Sequence, residues 1–431
     1  MKKIIVFFLL TTSLISGNLF CQDFNPIHVD NYQVTAEYRS EKSLISVSAN
    51  LDIISNSGFK DLYFQMKQNV NVNSVKIIRN ESERLLKFNN INNDSIEVNV
   101  FDNVENAGRF NLIFDYEIPV EVNIVNSIVL YYWYPFINHD LSKWKLEFST
   151  DNNYIVFASG LIGTSGESEN KKEEYVFFQQ KPIPHFQILI GVKNYYRDTS
   201  LTVNNITLDY HFVSTDKEVV NNIIQNTSMA FQFYDSLIGN YNYNQLDFVE
   251  VPGQLYVTSM PSIVFIGSLF VDKYNNGLNE WEAHEVAHQW FGSGMFANFG
   301  ERGNSCVFEP MAEYLKIMFW ESKFGEKYYS GIMEKYKSEY DTSIFNTNKD
   351  KEIIDANSSY RVVYLKGPII LNNLRVLTGE DTWNKMIRYM YSNYREKFFT
   401  YEDFKKCISN YDTQDTFVKF YDEWMNKKGL P

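Results

Sequence analysis

The sequence predicts a multidomain α+β protein, with an antiparallel β saddle or sandwich first and a mostly helical part after it. Three observations carry this reading. The chain has 431 residues, more than one simple core accommodates. From Val34 to about Tyr210 apolar and polar residues alternate, as in half-buried strands. Beyond about residue 214 the apolar residues recur at helical spacing.

The elements follow in order. Met1, Lys2 and Lys3 form a basic start, IIVFFLLTTSLIS is a short apolar run, and small and polar residues lead to Cys21-Gln22. This is the layout of a signal peptide over residues 1–21, cleaved before Gln22, and it implies export to the periplasm or the cell exterior. Lipidation at Cys21 is the rival, with Phe20 standing where such sites usually carry a small residue. Residues 22–210 then form the β domain. LISVSANLDII, DSIEVNVFD, FNLIFDYEIPV, KWKLEFST and HFQILIGVKNYY read as strands, and NNINNDS and GTSGESENKKEE as turns. Residues 211–431 form the second domain. It opens with the helix in STDKEVVNNIIQNTSMAFQFYDSLIG, whose Ser/Thr/Asp start suits an N-cap. LDFVEVP and SIVFIGSLFV read as short buried strands. Helices follow in WEAHEVAHQWF, PMAEYLKIMFWESKF, KYYSGIMEKYKSEY, VVYLKGPIILNNLRVL, DTWNKMIRYMYSNY, YEDFKKCISNY and TFVKFYDEWMNKK.

Aromatic content of 16%, with 30 Tyr and 34 Phe, supplies ample core area. The formal net charge of −13 repels nucleic acid and anionic membranes, and losing Lys2 and Lys3 makes the mature chain more acidic still. No later apolar run is long enough to span a bilayer, so stable membrane insertion is not expected. After cleavage Cys306 and Cys407 remain, to pair or to sit apart as buried thiols. The GxSxG elbow, Walker-type loop, dinucleotide fingerprint and EF-hand spacing are all absent.

The chemistry concentrates in WEAHEVAHQWFG, Trp281 to Gly292. Six histidines serve the whole chain, and two of them lie here four residues apart. On a helix, His284 and His288 face the same way and can direct two nitrogens at one ion. Glu285 is rotated beside that ion, where a general base for metal-activated water belongs. A catalytic zinc takes a third protein ligand. FEPMAEYLKIMFW offers two carboxylates one turn apart, Glu309 and Glu313, and spacing does not choose between them. His28, His139, His185 and His211 lack ligand spacing and read as structural or solvent-facing.

HEVAHQWFG followed by EPMAEYLK resembles the zinc aminopeptidases typified by aminopeptidase N, in the gluzincin group, whose members carry HExxHxWxG and then NEGxAxY. The resemblance implies a thermolysin-like catalytic domain and one zinc ion held by His284, His288 and Glu309. Glu313 then stands behind the ligands or beside the substrate. Val362 to Gly367 is similar to the family's YxKG segment, which makes Tyr364 the donor to the tetrahedral oxyanion. YYWYPF, KPIPHFQILIGVKNYY and FYDEWMNKKGLP are weaker echoes along the rest of the chain. The large C-terminal helical domain of long members has no counterpart before Pro431.

Three departures stand out. Residues 289 to 308 give twenty positions between His288 and Glu309, against the family's usual eighteen. The family's GxMEN strand, whose glutamate grips the substrate's α-amine, matches a segment in which Ser259 or Met260 takes the glutamate position. The β-domain loop that supplies a second amine contact reads Phe136-Ile137-Asn138-His139-Asp140, where Asn138 or Asp140 could substitute. Glu250, Glu280 and Glu282 are further acids nearby in sequence, read as solvated surface groups. The resemblance therefore implies zinc-dependent peptide hydrolysis with Glu285 as base. Removal of N-terminal residues, cleavage without a free N-terminus, and a non-catalytic peptide-binding scaffold are the outcomes to separate.

Overall fold

The computed structural model describes residues 27–431 apart from 67–68, 93–94, 101–107, 121–126, 138–139, 168–170, 194–195, 273–280, 299–300, 304–306, 348–349, 356–358 and 360. The signal peptide with Cys21, and Asn138, His139, Glu280 and Cys306, lie outside the described residues. Cys407 is a buried free thiol.

An eight-stranded sheet dominates the first part. Strand Leu44–Ser55 alternates buried and half-buried residues throughout, as its sequence predicts, and pairs antiparallel with Gly108–Pro119. One pair departs from the antiparallel expectation. Strand β1 (Ile27–Arg39) runs parallel to β2 (Ser142–Asp151), with Asn31 opposite Lys143. Alternation reports which face is buried. It does not report direction, which depends on how the long connection between two distant segments returns. A smaller sheet holds β3 (Tyr154–Ala158) and β4 (Ile188–Val192).

The second sheet begins earlier than composition suggests. The hairpin β5 (Arg197–Val203) and β6 (Ile206–Phe212) turns at Asn204 and Asn205, both at positive φ, a turn that favours asparagine. After helix α1 (Lys217–Leu237) comes β7 (Gln245–Val251), which pairs parallel with β6. By strand pairing the hairpin over residues 197–212 shares a sheet with β7 and not with the strands before it. Strands β8 (Val257–Met260) and β9 (Ile263–Gly267) complete the order β5-β6-β7-β9-β8, with β8 at the edge. A cluster of Phe157, Leu189, Tyr196, Val249, Val251, Ile263 and Phe265 joins β3 and β4 to β7 and β9. The first part is thus packed onto the second rather than strung beside it.

The helices stack behind this sheet. Helix α1 is capped by Asp216, whose carboxylate accepts from the Glu218 and Val219 amides. Helix α2 (Trp281–Ala287) is shorter than WEAHEVAHQWF suggests, although the His288 amide still donates to the His284 carbonyl at 3.2 Å. Helix α3 (Phe308–Phe324) is buried from Pro310 through Trp320, and α4 (Glu326–Thr347) packs against it. Val362–Lys366 forms a π turn that leads into α5 (Gly367–Thr378). α6 (Glu380–Tyr394), α7 (Tyr401–Ser409) and α8 (Thr416–Met425) close the chain. Among the described residues no helix is long and apolar enough to cross a membrane.

Candidate metal centre

Helix α2 presents His284, and the turn that ends it presents His288. Their Nε2 atoms come within 3.0 Å of each other. The outer nitrogens are each occupied. His284 Nδ1 meets Glu313 Oε2 at 2.8 Å, and His288 Nδ1 donates to the Phe291 carbonyl at 2.9 Å. An imidazole held this way at Nδ1 has its Nε2 free as a ligand. Glu309, in the first turn of α3, places Oε2 at 3.3 Å from both Nε2 atoms. Donors about 2.0–2.1 Å from one tetrahedral zinc would lie about 3.3 Å apart, so two histidines and one carboxylate fit that ion.

Charge favours a cation here. Glu285, Glu309 and Glu313 are all close to the histidines. Burial alone would lower His284, yet its bonds to Glu309 and Glu313 push it up to about 10. His288 is raised against the same burial by Glu309. Burial opposes charge on Glu309 too, and His288 and His284 nevertheless hold it well below the usual carboxylate range. Glu285 goes the other way, since burial pushes its carboxyl up.

Glu313 takes the first of its two expected places, behind the ligands. It is 6% exposed and both its oxygens are taken, one by His284 and one by Lys316 at 2.5 Å. It braces His284 from the side away from the donor point. One helical turn separates Glu309 from Glu313, and that turn puts the first against the Nε2 face and the second against Nδ1.

Tyr364 sits on the π turn. Its hydroxyl donates to Glu309 Oε2 at 2.5 Å, and its ring stacks on His284 with centroids 5.7 Å apart. Burial, Glu309 and Glu285 raise its phenol well above the ordinary value, so it keeps its proton. Gly367 allows the approach. A Cβ there would lie 2.6 Å from Pro310, the neighbour of Glu309.

Ser259 and Met260 lie on the edge strand β8. Gln289, adjacent to His288, donates to Ser259 Oγ at 2.5 Å and to the Met260 carbonyl at 2.9 Å. The other acids are engaged elsewhere. Asp140 binds His28 at 2.5 Å and the Val29 amide at 2.7 Å. Glu250 and Glu282, expected at the surface, are 2% and 0% exposed. Glu250 accepts from the Val213 and Ser214 amides, and Glu282 accepts from Asn226 at 3.0 Å. Sequence reasoning passed over Lys316, Tyr336 and Gln289. A lysine inside the apolar run of α3, three residues after Glu313, was the available signal for the first.

The arrangement has counterparts. At the level of fold, 12% identity and a TM-score of 0.75 relate the chain to the M1 zinc metallopeptidase of Deinococcus radiodurans, covering 95% of this chain and 96% of that one. The fold is that of the M1 zinc metallopeptidases. Native yeast LTA4 hydrolase matches at TM-score 0.73 and 16% identity, over 95% of this chain and 69% of that one. In sequence, the chain is 24% identical over 300 residues to leucine aminopeptidase 2 of Sclerotinia sclerotiorum, covering 64% of this chain and 47% of that protein. It is also 24% identical over 321 residues to a leukotriene A-4 hydrolase homolog of Botryotinia fuckeliana, covering 67% and 48%. The chain spans about half the length of these curated relatives. No family model matches it. The resemblance carried by the two motifs is therefore met by relatives in both sequence and fold, and the donor set fits the zinc of the M1 fold.

Proposed function

We propose that the protein is an exported zinc-dependent peptidase of the M1 type, with a thermolysin-like catalytic domain. The carrying observation is the convergence of His284, His288 and Glu309, with Tyr364 hydrogen-bonded to Glu309. Zinc, when bound, supplies a Lewis acid for a carbonyl and for water. Glu285 accepts the proton of the attacking water and returns it to the leaving amine. Burial, which raises its carboxyl, suits a group that must both take and give a proton. Tyr364 moves its hydrogen bond from Glu309 to the developing oxyanion. His28 and Asp140 stay outside the reaction as a structural pair.

A second reading has its own observation. Residue 259 or 260 stands where the resemblance expects an amine-binding glutamate, and Asp140, Glu250 and Glu282 are already engaged. A free N-terminus is then not the main determinant of cleavage, because an ammonium group in a partly dry pocket needs an acceptor of opposite charge. The test uses one peptide mixture with free and with acetylated N-termini, read by mass spectrometry beside Glu285→Ala. Stepwise trimming of the free set alone establishes an aminopeptidase. Internal cuts, or equal cleavage of both sets, establish the second reading. If Glu285→Ala leaves cleavage unchanged, or nothing is cleaved, a binding role replaces both.

A further inference from the structure

Lys316 lies inside the protein at 5% exposure, behind the metal-facing histidine. Glu309, Glu313 and Lys316 stand at i, i+4 and i+7 on α3 and share one face. Lys316 Nζ donates to Glu313 Oε1 at 2.5 Å and to the Tyr336 hydroxyl oxygen at 3.1 Å. Tyr336 in turn donates to the same Glu313 oxygen. The other oxygen of Glu313 meets His284. An unbroken line therefore runs from Lys316 through Glu313 to the point where the three donors converge.

A buried lysine requires compensation by opposite charge. Here the formal charges balance only when the lysine is counted. Glu285, Glu309 and Glu313 carry three negative charges. A divalent ion and Lys316 carry three positive ones. Glu282, the remaining buried acid of α2, points to α1 instead, where Asn226 donates to it. We propose that Lys316 is a positioning residue whose fixed charge neutralises Glu313, so that the centre is neutral with a divalent ion bound and holds that ion less tightly than it otherwise would. Two effects act together. The ammonium repels the dication, and by drawing on Glu313 it limits the electron density that His284 offers as a ligand. The inference rests on the zinc reading above.

The test measures zinc affinity by competition with a chromophoric chelator, together with the visible spectrum of the cobalt form. Lys316→Met should bind zinc on the order of tenfold more tightly and shift the cobalt bands. Lys316→Arg, which keeps the charge, should stay close to the native protein in both. Glu313→Gln should bind more weakly, and adding Lys316→Met to it should restore affinity, because that pair of changes leaves the net charge as it was. The double variant also serves if Lys316→Met alone does not fold, since it buries no unpaired charge. A native protein that binds zinc while Lys316→Met binds it equally or more weakly, or a double variant no tighter than Glu313→Gln, overturns this inference alone. A native protein that takes up no zinc overturns the metal reading and this inference together.

Discussion

In the proposed reaction Glu285 and Tyr364 have separate roles, and each predicts a distinct signature. Glu285→Ala should lower peptide cleavage by a factor of about 10²–10⁴ while zinc content, read by atomic absorption, stays at the native level, because Glu285 is not among the converging donors. Tyr364→Phe keeps the ring against His284 and removes only the hydroxyl. It should lower kcat by about 10²–10³ with little change in KM, since the donor acts on charge that develops in the transition state. The two histidines predict a pH dependence. Both are raised above their ordinary value, and each must be neutral to bind metal. Zinc affinity should therefore fall as pH drops, by about tenfold per pH unit for each histidine that takes a proton. Titrations of metal-free protein at several pH values would read this slope. A flat profile would remove these histidines from the metal site.

Among the elements, the π turn and the short helix α2 matter most. Read as periodicity, VVYLKGPIILNNLRVL is one helix, and the structure divides it into a π turn and α5. The insertion changes where Tyr364 points without altering the apolar pattern on either side, and such turns recur at functional sites. Gly367 fastens the turn against Pro310. Gly367→Ala should destabilise the protein by about 1–3 kcal/mol through overpacking. It should also cost activity beyond that, because Tyr364 and Glu309 would separate. Thermal unfolding and kcat measured together would show both effects, and loss of stability alone would mean that the turn does not place Tyr364. The shortness of α2 has a similar origin. The chain turns after His288 so that the Phe291 carbonyl can reach Nδ1, a tertiary demand that helix propensity does not report.

At the scale of the molecule, the β part and the helical part share a core. Phe157, Leu189 and Tyr196 pack against Val249, Val251, Ile263 and Phe265. Tyr131 donates to Tyr256 at 2.7 Å, and the Gly160 amide donates to Ser262 at 2.7 Å. The hairpin over residues 197–212 belongs to the second sheet. A fragment beginning at Arg197 would keep that sheet whole but expose its apolar face. It is expected to aggregate, whereas one beginning at residue 211 should not fold at all because it loses the strand beside β7. Light scattering and circular dichroism of the two fragments would check this. Two independently folding fragments would mean that the shared core contributes little.

The sequence by itself singled out the residues that converge. Helical periodicity translates the spacing of two scarce histidines around a glutamate directly into a shared face, while Glu309 and Tyr364 came from the resemblance of the downstream helix start and the YxKG-like segment to the family. The strand-rich first half and helical second half were equally legible, since burial imposes a period on each. Tertiary structure alone decided everything that depends on residues far apart in the chain. It set β1 parallel to β2, moved residues 197–212 into the second sheet, turned Glu313 toward Nδ1 of His284, and engaged Asp140, Glu250 and Glu282 in structural bonds. The physical reason is common to all four. A period records which face of an element is buried, whereas partner, direction and charge balance are settled only when distant elements meet.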